Sequence, residues 1–396
     1  MRRIATSVLS AAICLGASGT ASGQCDDARA FEAEVRALGV RMAEPETAGR
    51  LLAQASAILA DEACVGAHPG VRLIAARLAE ATGDWRRLHE LSGAALQREA
   101  GPAVSRVETR AHWLCERANA SYRLVSGEPP APPGVDLAGD VAVFAEYIGT
   151  ISRDGRLADP SMWRQFAADA LIRNASVVRS GGDFAGAAAA ERAGAAFVAS
   201  FGATREANAA LRGFASDEFL QRAATDEIRS GNITQAADTI REIHANPASA
   251  RHAAMHAQLL LRAARDQRQL GPFVCLLWDR LPHDADTVNL VANAAVVAQP
   301  EDEVVLARIV DDCLTLDAAV LDEATRLRNT RLTPARAAAT GPVHAHLLMN
   351  RAIFAASAGD RALADALVED VRARGWFGEW CKSHMTRIRF EQGRQR

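Results

Sequence analysis

Apolar residues keep a helical spacing along nearly the whole chain, beginning near Asp27 and rarely pausing. β-branched runs with period-two alternation are absent, so no sheet is expected. The breaks fall at short turn signals. Glu44-Pro45 separates the first two helices, and His68-Pro69-Gly70 precedes the third. Asp159-Pro160, Asn246-Pro247, Gln299-Pro300 and Thr333-Pro334 read as helix starts, because proline is tolerated at the first helical position. Ser216 followed by Asp217 and Glu218 reads as an N-cap with acids in the first turn.

One pattern recurs four times. Gly83-Asp84, Gly182-Asp183, Gly231-Asn232 and Gly359-Asp360 each sit between two helical stretches. Seven residues before each Gly stands an alanine: Ala76, Ala175, Ala224 and Ala352. Five residues after it stand Leu88, Ala187, Ala236 and Ala364. Glycine can close a helix in the left-handed conformation, and the following Asp or Asn can cap the next helix. The small flanking residues let two antiparallel helices approach closely. Trp85 and Phe184, just after the acid, can wedge between neighbouring hairpins.

These residues resemble the tetratricopeptide repeat family, whose hairpins carry a small residue, a Gly-acid turn, an aromatic and an alanine at such offsets. The resemblance covers about a third of the chain at the family's period. The turn glycines are 99, 49 and 128 residues apart, so the repeats are not in strict tandem. The implied fold is all-α, with antiparallel hairpins stacked as an α-solenoid; a closed α/α toroid is the alternative. In the family, the first helix of each hairpin lines a groove that binds peptides. That register turns Asp169, Arg173, Glu218, Arg222, His346 and Asn350 toward a partner groove. Some relatives clamp a partner's terminal carboxylate with lysine and asparagine. Here Arg173 and Arg222 hold one matching position, while the companions are Ile172, Ser176, Gln221 and Thr225, so that clamp is in doubt.

The first 23 residues read as a secretory signal peptide. Arg2 and Arg3 form the charged start, Ile4 to Gly16 is a short apolar stretch, and Ala21-Ser22-Gly23 places cleavage before Gln24. The stretch is too short to span a bilayer comfortably, which takes about 20 apolar residues. A periplasmic or extracellular location is expected, without a transmembrane segment. Residues 24–126 read as an N-terminal helical block and 137–396 as a C-terminal repeat block. Between them, 127–136 contains four prolines, which forbid helix; this stretch is either a linker or a long surface loop.

Composition supports helix. Aromatics are 5%, and alanine, leucine, arginine and glutamate are good helix formers. Net charge is −3, and loss of Arg2 and Arg3 takes it to −5, so nucleic acid is not an expected partner. Six cysteines would remain after export: Cys25, Cys64, Cys115, Cys275, Cys313 and Cys381. An even number in an oxidising compartment suggests disulfides; ordinary buried thiols are the alternative. A Cys25–Cys64 bridge fits best. Cys25 precedes the first helix, Cys64 ends the second, and an antiparallel hairpin brings such ends together.

Candidate chemistry is thin. His252 and His256 lie one helical turn apart, a spacing that can bind zinc. Ala253 stands where the related protease helix has its glutamate, so a plain amphipathic helix is the stronger reading. Trp380-Cys381-Lys382-Ser383-His384 has one cysteine where haem attachment needs two. His344 and His346, two apart, point to different faces of a helix. Glu301-Asp302-Glu303 reads as a first-turn acid cluster, and Asp311-Asp312 has no evident partner. No cofactor is expected. The sequence therefore favours an exported, non-enzymatic binding or scaffolding protein that holds a protein or peptide. The alternative is a secreted polysaccharide lyase or hydrolase on a toroid, although Tyr122 and Tyr147 are its only tyrosines.

Overall fold

The computed structural model describes residues 25–61, 69–98, 107–127, 132–201, 216–245 and 253–394. The signal-peptide and cleavage readings, Cys64, the prolines at 129 and 130, His252 and the Asn246-Pro247 start lie outside the described residues. Described residues are helix, turn or irregular, with no strand among them. None of their helices is long and apolar enough to cross a membrane.

The chain divides into two compact units, Met1–Val177 and Val178–Arg396. Unit one contains α1 (Asp26–Leu38), a 3-10 turn (Gly39–Ala43), α2 (Pro45–Ala60), α3 (Pro69–Thr82), α4 (Trp85–Arg98), α5 (Val107–Ser126) and α6 (Leu137–Arg153). The boundary falls within α7 (Pro160–Ser180). In this unit α1 and α2 both pack on α3, and α3, α4, α5 and α6 pack each on the next. Phe31, Leu51, Leu78 and Leu88 fill its core and are fully enclosed or nearly so. The stretch around residues 127–136 joins α5 to α6, which pack against one another.

Unit two begins with the last turn of α7. It continues through α8 (Phe184–Ala199), α9 (Ser216–Arg229), α10 (Ile233–Ala245), α11 (Ala253–Asp266), α12 (Leu270–Arg280) and α13 (Ala285–Val297). A 3-10 turn (Pro300–Asp302) leads into α14 (Glu303–Leu314), α15 (Ala318–Thr330), α16 (Pro334–Ala339), α17 (Val343–Ser357), α18 (Arg361–Ala373) and α19 (Cys381–Arg394). Here α9 packs on α11, α10 on α12, α11 on α13, α12 on α14 and α13 on α15. Each helix from α9 to α13 touches the next but one, which stacks consecutive hairpins in two layers, as helical-repeat proteins do.

The repeated turn has one geometry. Gly83, Gly182, Gly231 and Gly359 all have positive φ, from 73° to 88°. In each, the amide after the glycine donates back to the carbonyl five residues earlier: Asp84 to Ala79 at 2.9 Å, Asp183 to Val178 at 3.3 Å, Asn232 to Glu227 at 2.7 Å, Asp360 to Ala355 at 2.9 Å. This is the Schellman closure of a helix end. The same acid or amide side chain then accepts from a first-turn amide of the next helix: Arg87, Gly186, Gln235 and Leu363 respectively. One residue thus ends one helix and starts the next. The alanines at both offsets, and Leu88, are all buried.

A fifth turn has the same closure without glycine. Arg268 takes φ 55°, its amide donates to Arg265 at 2.9 Å, and Gln269 donates to Ala264 at 2.8 Å. It joins α11 to α12. Leu261 and Phe273 hold the two offset positions, and both are buried.

Candidate functional site

The six groove residues fall in three places. Asp169 and Arg173, on α7 in unit one, pair with each other at 2.5 Å. Arg173 also donates to Asn119 at 3.4 Å, and its guanidinium stands 5.2 Å from the Tyr122 ring centroid. Glu218 and Arg222 share α9, where Glu218 is half-buried. Arg222 covers the Phe219 ring and donates through Nε to Glu191 at 3.0 Å. His346 and Asn350 share α17. Asn350 is 2% exposed and its Nδ2 has no hydrogen-bond partner.

Arg222 belongs to a buried ladder of charge. Arg179 forks onto Asp226, with Nε to both oxygens at 2.9 Å, and its Nη2 reaches Glu191 at 2.8 Å. Glu191 and Asp226 are fully buried. The hydrogen bonds that Arg179 donates to Asp226 raise its guanidinium above its usual range, against its burial. A second rung sets Arg192 against Glu227 at 2.8 Å, with Thr239 donating to Glu227 at 2.8 Å. The rungs run from the end of α7 through α8 and α9 to α10. Each buried carboxylate meets a planar guanidinium, the geometry in which buried ion pairs are tolerated. This set reads as interhelical mortar.

Unit one carries two further clusters. Asp140 accepts from Arg117 at 2.6 Å and Ser121 at 2.5 Å, with His89 Nε2 at 3.3 Å. Burial opposes its charge, but these hydrogen bonds and the Arg117 charge hold its carboxyl below the ordinary value. Ser121 and His89 both spend themselves on the carboxylate, so they do not form a nucleophile and its base. In the other cluster, Glu116 lies 3.2 Å from Arg77 and 3.8 Å from His112. Burial pushes Glu116 up to about 7, against the pull of Arg77. Burial, then the Arg77 charge, holds His112 down at about 3.

The remaining concentration of aromatic and imidazole rings lies in unit two. His344 packs on Trp376 with centroids 5.1 Å apart, and His346 on Trp380 at 4.2 Å. His384 lies 5.7 Å from His346 and 5.5 Å from Trp380. Two histidines on different faces of α17 therefore both grip the segment that leads into α19. Arg328 donates to the Gly341 carbonyl, and the Trp380 ring fills the space that a Gly341 side chain would need.

Other sequence readings find their places. His256 is buried, with Nε2 3.4 Å from Asp217. Among the described residues no group of three or more His, Cys, Asp or Glu side chains is placed to hold a metal ion. Cys381 is a buried thiol, free like Cys115, Cys275 and Cys313. Cys25 is buried and is not one of these free thiols; its expected partner, Cys64, is outside the described residues. Within the Glu301–Glu303 cluster, Asp302 does more than face a helix dipole. Its Oδ1 accepts from Gly271 at 2.8 Å and its Oδ2 from Gln299 at 3.1 Å, so one buried carboxylate serves two helix starts. Asp311 has a partner that sequence reasoning missed, Arg351 at 2.7 Å. That partner lies 40 residues away, and nothing local signals it.

No family's sequence model matches the chain, and no curated protein matches it in sequence. Among solved structures it is similar to a circular tandem repeat protein with novel repeat topology and enhanced subunit contact surfaces. The identity is 15%, the match covers 93% of this chain and 83% of that one, and the TM-score is 0.25. This chain's own hairpins define its class, an all-α protein of helical-repeat type.

Proposed function

We propose that this chain is an exported, non-enzymatic scaffold whose helical-repeat surface holds a protein or peptide partner. The observation that carries this reading is the reuse of one capped Gly-acid or Gly-amide turn at four places, with hairpins stacked in two layers. Stacked hairpins build an extended surface on which many side chains can meet one partner. The Gly-acid turns with buried alanines favour hairpins of the tetratricopeptide kind over other helical pairs. Export rests on the charged start, the short apolar stretch and Ala21-x-Gly23.

Of the six groove positions, Asp169 and Glu218 are acids that keep part of their surface exposed, so they are the two tested. Arg222 is spent on Glu191, and Asn350 is enclosed. The test is capture from the native envelope by the immobilised mature chain, beside Asp169→Arg and Glu218→Arg variants that keep the parent melting temperature. A specific protein retained by the parent and weakened at least tenfold by the variants is expected. Retention unaffected by both variants moves the binding face elsewhere. Depolymerisation of envelope polysaccharide by the purified chain overturns the non-enzymatic reading.

A further inference from the structure

We propose that the C-terminal segment Trp376–Arg394 is an acid-released latch on α17, held by the interleaved pairs His344–Trp376 and His346–Trp380. Three observations support it. The first is how few buried apolar side chains hold the segment. Along α19 the buried side chains are Cys381 and Ile388. Its polar ties are Arg387 to Glu303 at 2.8 Å, Arg361 to the Gln392 carbonyl, and Gln392 to Asp365 at 3.3 Å, all at the far end of α19 from the two tryptophans. An element with few buried apolar side chains opens at low cost.

The second is the state of the imidazoles. His346 Nε2 is buried without a hydrogen-bond partner. Its half-buried ring is flanked by Trp380 and His384, and such a site favours a neutral ring over an imidazolium.

The third is the charge around the cluster. From α15, Arg328 faces His346 and Asp322 faces His344. From α18, Asp370, and from its C-cap, Arg374, face His344 with opposite effect. From α19, His384 faces His346, and Arg387 faces His384. On α14, Glu303 is paired with Arg387 and Asp311 with Arg351 of α17; on α13, Asp286 lies beside Arg331. A proton on His346 therefore arrives between a guanidinium and a second imidazole, with the nearby acids already engaged or directed at His344.

Burial, then the charges of Arg328 and His384, holds His346 down at about 3. Burial also lowers His344 and His384. The sign follows from linkage. A histidine whose docked pKa lies below its free value of about 6.5 favours docking fully above that value and less as pH falls toward the docked value. At pH 4.5, His346 alone shifts the docking equilibrium toward release by roughly 100-fold relative to neutral pH. His344 and His384 add in the same direction.

Hydrogen exchange of the full mature chain tests this, read as protection of residues 376–394 at pH 7.5 and 4.5 after correction for intrinsic exchange chemistry. Residues 216–245, in α9 and α10, serve as internal reference. The expected result is loss of protection in 376–394 at pH 4.5, by about 100-fold or more, while 216–245 keeps its own. A His346→Phe variant, which keeps a ring but cannot take a proton, retains most of that protection at pH 4.5. Equal protection of the segment at both pH values overturns the latch. So does parallel loss in 216–245, which marks global acid unfolding, or equal loss in the Phe variant. Should His346→Phe fail to fold, His346→Gln takes its place, and the parent measurements at two pH values still decide.

Discussion

The ring of Phe219 occupies the space that a side chain on Gly194 would need. Gly194 lies on α8 and Phe219 on α9, and both are buried. The closeness of these helices lets Arg222, on α9, reach Glu191 on α8. Gly194→Ala sets a helix-propensity gain of about 1 kcal/mol against an overpacking cost of about 1–3 kcal/mol. The ring cannot withdraw from a filled core, so the cost wins. A lower melting temperature is expected, and an unchanged or raised one would show that α8 and α9 can part without loss.

Arg268 is the converse case. It is exposed and holds a left-handed backbone that glycine adopts without strain. Arg268→Gly should raise stability by about 0.5–1 kcal/mol, and Gly231→Ala should lower it by about 1 kcal/mol. Urea unfolding of the two variants checks both signs, and stability that moves the other way in either would refute the shared turn geometry.

Arg179 faces two buried carboxylates. Removing the guanidinium takes the forked partner from Asp226, which keeps only Arg229 at 3.7 Å, and leaves Glu191 to Arg222 alone; breaking a buried pair typically costs about 3–5 kcal/mol. Arg179→Met should therefore destabilise unit two severely. Arg179→Lys should recover part of the loss, because an ammonium cannot fork onto Asp226. Denaturation of both variants measures the ordering, and equal stability of Met and Lys would mean that shape matters more than charge there.

Glu116 gives unit one a pH dependence near neutrality. Its folded value of about 7 lies above the ordinary 4.5. Its contribution is therefore complete below about pH 4.5 and declines as pH rises through about 7. Glu116→Gln mimics the protonated acid. It should raise the melting temperature at pH 8.5 and leave it nearly unchanged at pH 5. A drop at pH 8.5 would instead mark the Arg77 ion pair as dominant.

The proposed Cys25–Cys64 bridge closes a loop of roughly 40 residues, for which chain entropy gives about 4 kcal/mol. Non-reducing peptide mapping of exported protein should find the two cysteines in one cross-linked peptide pair. Free, alkylatable thiols at both positions would eliminate the bridge.

The sequence by itself determined what local chemistry controls. Helix spacing, proline starts and the four Gly-acid turns needed no distant partner, because a left-handed glycine and a capping side chain act within a few residues. The buried alanines followed from the same register. The fifth turn escaped because Arg268 carries no glycine signature, and neighbouring packing holds it in a conformation its own propensity resists. Tertiary structure alone decided which charges were spent. Arg222 reads as a groove residue from its helix position, and the structure adds a tie to Glu191, 31 residues away. His344 and His346 do point to different faces of α17, yet the Trp376–Trp380 segment meets both. Periodicity along one helix reports which residues share a face. It carries no record of what the rest of the chain lays against that face, and here those contacts decide the chemistry.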